Sequence, residues 1–164
     1  MYVVGLSKSK DLFPSNILVG SLLHSPPLLL VDNVLSFEPF KWCQATKVFG
    51  DDTDWIFSAH FPGSPLLPGS LQIEAYTQAA ALVLLAGFLR EDSSSNVSRL
   101  LLVGISGARF YTKVSPGAVL VMNAELKSRA HNIATIHVAG FVDEAKVSEC
   151  QVIYKEQNTQ DVEI

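Results

Sequence analysis

A chain of 164 residues with 48% apolar and 17% charged residues is long enough to fill a core of its own without disulfide staples. Its net charge of −4 gives no general footprint for DNA, RNA or an anionic membrane surface, so neither nucleic acid nor membrane is an expected partner. So few charges beside so many apolar residues leave more apolar surface than a monomer of this size hides, which points to a subunit interface.

In chain order, residues 1–13 read as a loose arm. Met1-Tyr2-Val3-Val4-Gly5-Leu6 has no basic n-region, and Lys8, Lys10 and Asp11 come too early for a signal peptide, so a cytoplasmic location is expected. Ser15 is placed to cap a short helix through Ile17, Leu18, Leu22 and Leu23, stopped by Pro26-Pro27. Two strand-like segments, 28–37 and 41–49, flank Glu38-Pro39-Phe40 and read as a hairpin. Asp51-Asp52-x-Asp54 resembles a fragment of a calcium loop but lacks its glycine and terminal glutamate, so a turn is the default. Cys43 and Cys150 lie far apart in strand-like segments without a C-x-x-C partner; they read as small core residues in a reducing compartment.

The run His60-Phe61-Pro62-Gly63-Ser64-Pro65-Leu66-Leu67-Pro68-Gly69-Ser70-Leu71-Gln72-Ile73-Glu74 sets one titratable base and one carboxylic acid around a Pro/Gly loop. The prolines fix some backbone angles and the glycines free others. A helix over about 70–90 follows, with Glu74 about one turn inside. Its second half, Ala79 to Leu89, has no polar residue, yet that stretch is shorter than the roughly 20 residues that span a bilayer. A helix buried in the centre of the domain is therefore expected, followed by an exposed loop over Glu91-Asp92-Ser93-Ser94-Ser95-Asn96. Four strands are expected near 99–112, 118–128, 131–143 and 146–155, broken at Ser115-Pro116-Gly117, Ala130-His131-Asn132 and Asp143-Glu144. An all-apolar helix beside about six short antiparallel strands must be wrapped by them, which makes one α+β domain over 1–164 with no internal repeat.

Minor motifs carry less. Gly104-Ile105-Ser106-Gly107-Ala108 misses the nucleophile-elbow spacing because Ala108 stands where the last glycine belongs. His131 and His137 share a strand face but have no further ligand at metal spacing, so no metal is expected. Arg109 with Lys113 reads either as a patch for an acidic partner or as a strand-edge pair against aggregation.

Taken together, His60-Phe61-Pro62-Gly63-x-Pro65-x-x-Pro68-Gly69-x-Leu71-x-x-Glu74-Ala75-x-x-Gln78 closely resembles the signature of the β-hydroxyacyl-acyl-carrier-protein dehydratases of fatty-acid synthesis. The likeness extends to Leu23-His24-x-x-Pro27-x-Leu29-Leu30-Val31-Asp32 upstream and to Ala108-Arg109-Phe110 with Val114-x-Pro116-Gly117 downstream. The resemblance implies the hot-dog fold, a curved antiparallel sheet around one long helix. It also implies roles: His60 removes the proton next to the thioester carbonyl, and Glu74 acts on the β-hydroxyl that leaves as water. The Gly69 backbone N–H would meet the thioester oxygen, the Leu66 carbonyl would hold the imidazole tautomer, and Gln78 would orient the Glu74 carboxylate. Each site would take its histidine and its acid from different subunits of a homodimer, with further assembly of dimers left open.

The resemblance also implies an acyl carrier protein as partner, docking near Arg109 and Lys113. No cofactor is expected, because the phosphopantetheine arm arrives with the substrate. This sequence departs from the family pattern at Ser58-Ala59, usually Asn-Gly, at Ser25-Pro26, usually Arg-Tyr, and at Thr112, which interrupts a basic cluster. Glu rather than Asp at position 74 resembles the simple dehydratase branch more than the isomerising one. The rival readings are a hot-dog thioesterase or isomerase, and a catalytically silent acyl-thioester-binding dimer partner.

Overall fold

The computed structural model describes residues 13–61, 63–91 and 99–157. Most of the expected N-terminal arm, and the loop after the long helix from Asp92 on, lie outside the described residues. The elements run α1 (Ser15–Gly20), β1 (Asn33–Glu38), β2 (Trp42–Val48), a 3-10 turn (Asp51–Thr53), α2 (Asp54–Ala59), α3 (Gly69–Glu91), β3 (Arg99–Phe110), β4 (Val119–Ala130), β5 (Ile133–Val142) and β6 (Ala145–Gln157).

The six strands form one sheet in the order β1-β2-β4-β5-β6-β3, antiparallel at every pairing. Two-residue turns fix the registers of β4 with β5 and of β5 with β6. His131, Asn132, Asp143 and Glu144 all take φ between 49° and 65°, the mirror-image turn geometry whose twist matches that of the flanking strands. β3, third in sequence, closes the sheet at the far edge beside β6. There it breaks register between Ser106 and Arg109, with Gly107 at φ +60°, where a residue with a Cβ would be strained.

α3 lies against the sheet and is buried at every residue from Ala75 to Gly87. The alanines at 79, 80, 81 and 86 add little bulk, so strands can come close. At its far end the hairpin turn between β1 and β2 folds over it: Phe40, at φ 55°, donates its N–H to the Val83 carbonyl at 3.1 Å. Its ring stands where a Cβ on Gly87 would be, within 2.3 Å, so only glycine fits there. Arg129 lies 4.1 Å over the same ring and clasps Glu156 through Nε at 2.7 Å. A long helix wrapped by a six-stranded antiparallel sheet is the hot-dog arrangement.

A chain of polar groups sits inside this apolar packing. Ser148 on β6 donates to Gln72 Oε1 at 2.6 Å and is paired with the Tyr76 hydroxyl, joining helix to sheet, and among the described residues no buried side-chain nitrogen or oxygen lacks a partner. Burial pushes the Tyr76 hydroxyl up to about 12, against the lowering effect of Ser148. Cys43 and Cys150 are free and buried, and burial raises their thiols to about 12 and 11.

Two local expectations change, and two elements gain detail. Ser15 does not cap α1; Pro14 holds that position, and Ser15 Oγ instead accepts the Val34 N–H at 2.8 Å, tying α1 to β1. The first strand starts at Asn33 rather than Leu28, because the peptide groups of Leu28 and Leu30 are taken by Gln78 on the helix. The aspartates of 51–54 open a 3-10 turn and then α2, an element absent from the sequence reading. The whole of α3, at 23 residues, is by length and composition able to cross a membrane, yet 78% of its most apolar window is buried inside the protein.

A Cβ on Gly140 of β5 would fall 1.9 Å from the Tyr76 hydroxyl oxygen. Gly140→Ala is therefore expected to lower the unfolding free energy by about 1–3 kcal/mol through overpacking. Adding Tyr76→Phe, which removes that oxygen, should make the double variant less destabilised than the sum of the singles. Urea unfolding of the four proteins measures this coupling.

Candidate active site

His60 stands at the end of α2, its N–H donating to the Ile56 carbonyl at 3.0 Å. Ile56 and Phe57 anchor that short helix in the core, Phe57 meeting Phe49 edge to face at 6.2 Å. Ser58 and Ala59 are its last helical residues, so the departure from Asn-Gly coincides with a helix that runs up to the histidine. Phe61 then turns the chain at φ 55°, a region bulky residues rarely adopt and one that stores strain. Its carbonyl accepts the Ser64 N–H at 2.9 Å, and its ring lies 4.2 Å from the imidazole.

The turn brings the Leu66 carbonyl within 3.0 Å of His60 Nδ1. A carbonyl only accepts, so Nδ1 carries the proton and Nε2 of the neutral ring keeps its lone pair. A base is thereby aimed by its own loop. The loop is pinned next door: Leu67, fully buried, donates its N–H to Val114 at 2.8 Å, and its carbonyl accepts Gln72 Nε2 at 3.2 Å.

Gly69 opens α3, where the first N–H groups have no partner inside the helix and the helix dipole favours negative charge. The Phe110 ring stands within 2.8 Å of where a Cβ on Gly69 would be. The bare Cα is thus needed for close packing of β3 on the helix start, a reason the sequence did not reveal.

One turn in, Glu74 is half-buried. Gln78 Nε2 donates to its Oε1 at 2.8 Å and to the Leu28 carbonyl at 2.7 Å, while Gln78 Oε1 accepts the Leu30 N–H at 2.8 Å. Gln78 is fully buried, and its amide locks acid, helix and the segment before β1 into one unit. His24, which the sequence offered only as part of the upstream likeness, places Nε2 3.5 Å from Glu74 Oε1 and Nδ1 2.6 Å from the Leu22 carbonyl. From β6, Tyr154 donates to the Thr77 carbonyl at 2.9 Å. Burial raises its hydroxyl to about 12, the hydrogen bond opposes that, and the Glu74 charge adds to it.

Two clusters result, one around His60 with Leu66, the other around Glu74 with Gln78 and His24. Within the chain no hydrogen bond or ion pair joins His60 to Glu74. Arg109 and Lys113 are exposed on the two sides of Phe110, beside the Gly69 and Leu67 loop. Arg109 faces Glu149 across the register, and Glu149 is itself held down to about 2 by Lys146, Tyr111 and His137. Among the described residues no group of three or more potential metal ligands exists. His131 lies in a turn, and His137 contacts Glu149 at 3.2 Å. Gly104 to Ala108 run along β3 and form no strand-to-helix elbow.

Residues 22–151 match the family described as the FabA-like domain. A 3-hydroxyacyl-[acyl-carrier-protein] dehydratase FabZ of Ralstonia nicotianae is 38% identical over 135 residues, covering 80% of this chain and 79% of that one. The protein of the same name from Wolbachia of Brugia malayi is 32% identical over 143 residues, covering 86% and 94%. Among solved structures, the dehydratase heterocomplex ApeI:P of Xenorhabdus doucetiae superposes with a TM-score of 0.71 at 16% identity, covering 87% of this chain and 93% of its own. A hypothetical thioesterase of Streptococcus pneumoniae, solved with coenzyme A, gives 0.59 at 9% identity over 77% and 85%. At such low identities these two structures carry the fold alone.

Gln78→Leu keeps the side-chain size but strands the Leu30 N–H and the Leu28 carbonyl without partners. A loss of about 1–3 kcal/mol per buried group left unsatisfied is expected in chemical unfolding. Hydrogen exchange at the Leu30 amide should accelerate more than at amides of β5.

Proposed function

Because the chain belongs to the 3-hydroxyacyl-[acyl-carrier-protein] dehydratase family, we propose that it removes water from a (3R)-3-hydroxyacyl thioester borne on acyl carrier protein and leaves the trans-2-enoyl thioester. The observation that carries this reading is the separate orientation of a base and an acid: His60 with its Nδ1 committed to Leu66, and Glu74 held on one oxygen by Gln78. His60 Nε2 takes the proton from the carbon next to the thioester carbonyl. The electron pair left there forms the new double bond as the bond from the β-carbon to the hydroxyl breaks. Glu74 supplies the proton with which that hydroxyl leaves as water. Negative charge that gathers on the thioester oxygen meets the Gly69 N–H at the start of α3. Both proton transfers run on side chains, so the reaction asks for no metal or redox cofactor, and the phosphopantetheine arm comes with the substrate.

That no hydrogen bond or ion pair joins His60 to Glu74 within the chain supports a site shared between two copies of it. So does the outer edge of β3, which presents Leu101, Leu102 and Val103 with Phe110 and Tyr111 beyond them, an apolar edge of the kind that pairs with another chain. A homodimer would bring the His60 of one subunit toward the Glu74 of the other. Encounter with an acidic carrier falls to Arg109 and Lys113, which flank the site loop and oppose the net charge of −4. The cytoplasm, where the two free cysteines stay reduced, suits these roles.

His60→Ala and Glu74→Gln should each reduce kcat by about 10²–10⁴ with the fold kept. Mixed after subunit exchange, the two variants should regain part of that activity, since a heterodimer rebuilds one complete site. Water loss from 3-hydroxyacyl carrier proteins, followed by mass, measures both. Loss of the acyl group in place of water would favour the thioesterase reading, and an unchanged substrate the silent binding partner.

Arg109→Glu or Lys113→Glu should raise KM for carrier-bound substrate more than for a short pantetheine thioester. The excess should fade as salt approaches about 1 M, where screening shortens to roughly 3 Å. An excess insensitive to salt would remove the docking role.

A further inference from the structure

Resting on the reading of Glu74 as the acid, we propose that His24 is a positioning residue for Glu74, sharing a proton with its carboxyl and returning that proton between turnovers. His24 is built for one arrangement. Its Nδ1 lies 2.6 Å from the Leu22 carbonyl, which can only accept, so Nδ1 always carries hydrogen and only Nε2 changes protonation. That nitrogen faces Glu74 Oε1 at 3.5 Å, a separation of the loose kind found before substrate tightens a site. The imidazole is 35% exposed and the carboxyl 28%, so the ring reaches water on one side and the acid on the other.

Of the groups that the chain itself sets around Glu74, His24 is the one suited to this work. From α3, Gln78 donates to the same oxygen and does not titrate near neutral pH. From β6, Tyr154 commits its hydroxyl to Thr77 and holds its proton up to about 12. The other base, His60, makes no hydrogen bond or ion pair to Glu74 within the chain, and it ends each turnover carrying the proton taken from substrate. In this proposal the cycle closes at two places. His60 gives its proton to solvent, while Glu74, left as a carboxylate, takes one from His24 Nε2, which regains it from water. One proton leaves and one enters, so the net charge of the site is restored.

The segment that carries His24 is tied to the acid independently. Leu28 and Leu30, a few residues on, are bonded to Gln78, the side chain that also holds Glu74. Moving that segment moves both partners together, so the His24 to Glu74 spacing is preserved through small motions of the loop. Leu23, at φ 56°, turns the backbone between the Leu22 carbonyl and the imidazole that binds it.

The test is His24→Ala and His24→Gln in the full-length protein, assayed by water loss with wild type and Glu74→Gln beside them. Both His24 variants should lose about 10- to 100-fold in kcat, less than loss of the acid itself, with KM within about twofold. Added imidazole should restore much of the rate in His24→Ala and none in Glu74→Gln. The glutamine variant fills the same space and can donate to Oε1 but cannot carry a proton, so its loss separates proton return from packing. Wild-type kcat in both variants, or a loss in His24→Ala that imidazole does not relieve, overturns the proposal while leaving the acid role of Glu74 intact. Undiminished turnover in Glu74→Gln would overturn the underlying assignment and this proposal with it.

Discussion

An α-helix with apolar residues on every side has no stable position at a water-facing surface, and the architecture of this protein follows from that constraint. Burying all of α3 from Ala75 to Gly87 requires protein on every side of it, which six twisted strands, the β1–β2 turn and α1 provide together. The small side chains at 79–81, 86 and 87 let that cover close to contact, most tightly where the Phe40 ring takes the place of a Cβ.

Polar groups that enter such a helix must be satisfied inside the protein, and here they are gathered in its first turns. Gln72 and Tyr76 reach Ser148 on β6, while Gln78 reaches the strand-like segment before β1 and Glu74 on its own helix. These bonds hold the helix start at a fixed height against the sheet. They also fix the acid, because a half-buried carboxyl whose oxygen is claimed by a buried amide has little rotational freedom. The apolar half of α3 therefore sets where the helix lies, and the polar half sets where the chemistry is offered.

The histidine is positioned by a different device. Its loop is shaped by a left-handed Phe61, a glycine at φ +94° and the Leu66 carbonyl that takes its ring proton, and the Leu67 carbonyl ties it to Gln72 of the helix. His60 and Glu74 are thus held by separate supports. β3 links the supports: its bulge at Gly107 precedes Phe110, whose ring closes over Gly69.

The sequence alone determined the long buried helix, the four later strands with their breaks, and the helix position of Glu74 relative to Gln78, because periodicity, turn residues and i to i+4 spacing are local properties. The likeness around His60 likewise marks the candidate site from local sequence. Tertiary structure decided what depends on partners far along the chain. Ser15 was drawn from capping to the Val34 N–H, Leu28 and Leu30 were drawn out of a strand by Gln78 nearly 50 residues away, and His24 was brought to Glu74. A side chain's hydrogen bonds go to whichever group folding sets beside it. That neighbour is chosen by the packing of the whole sheet around one helix and leaves no trace in the spacing of nearby residues.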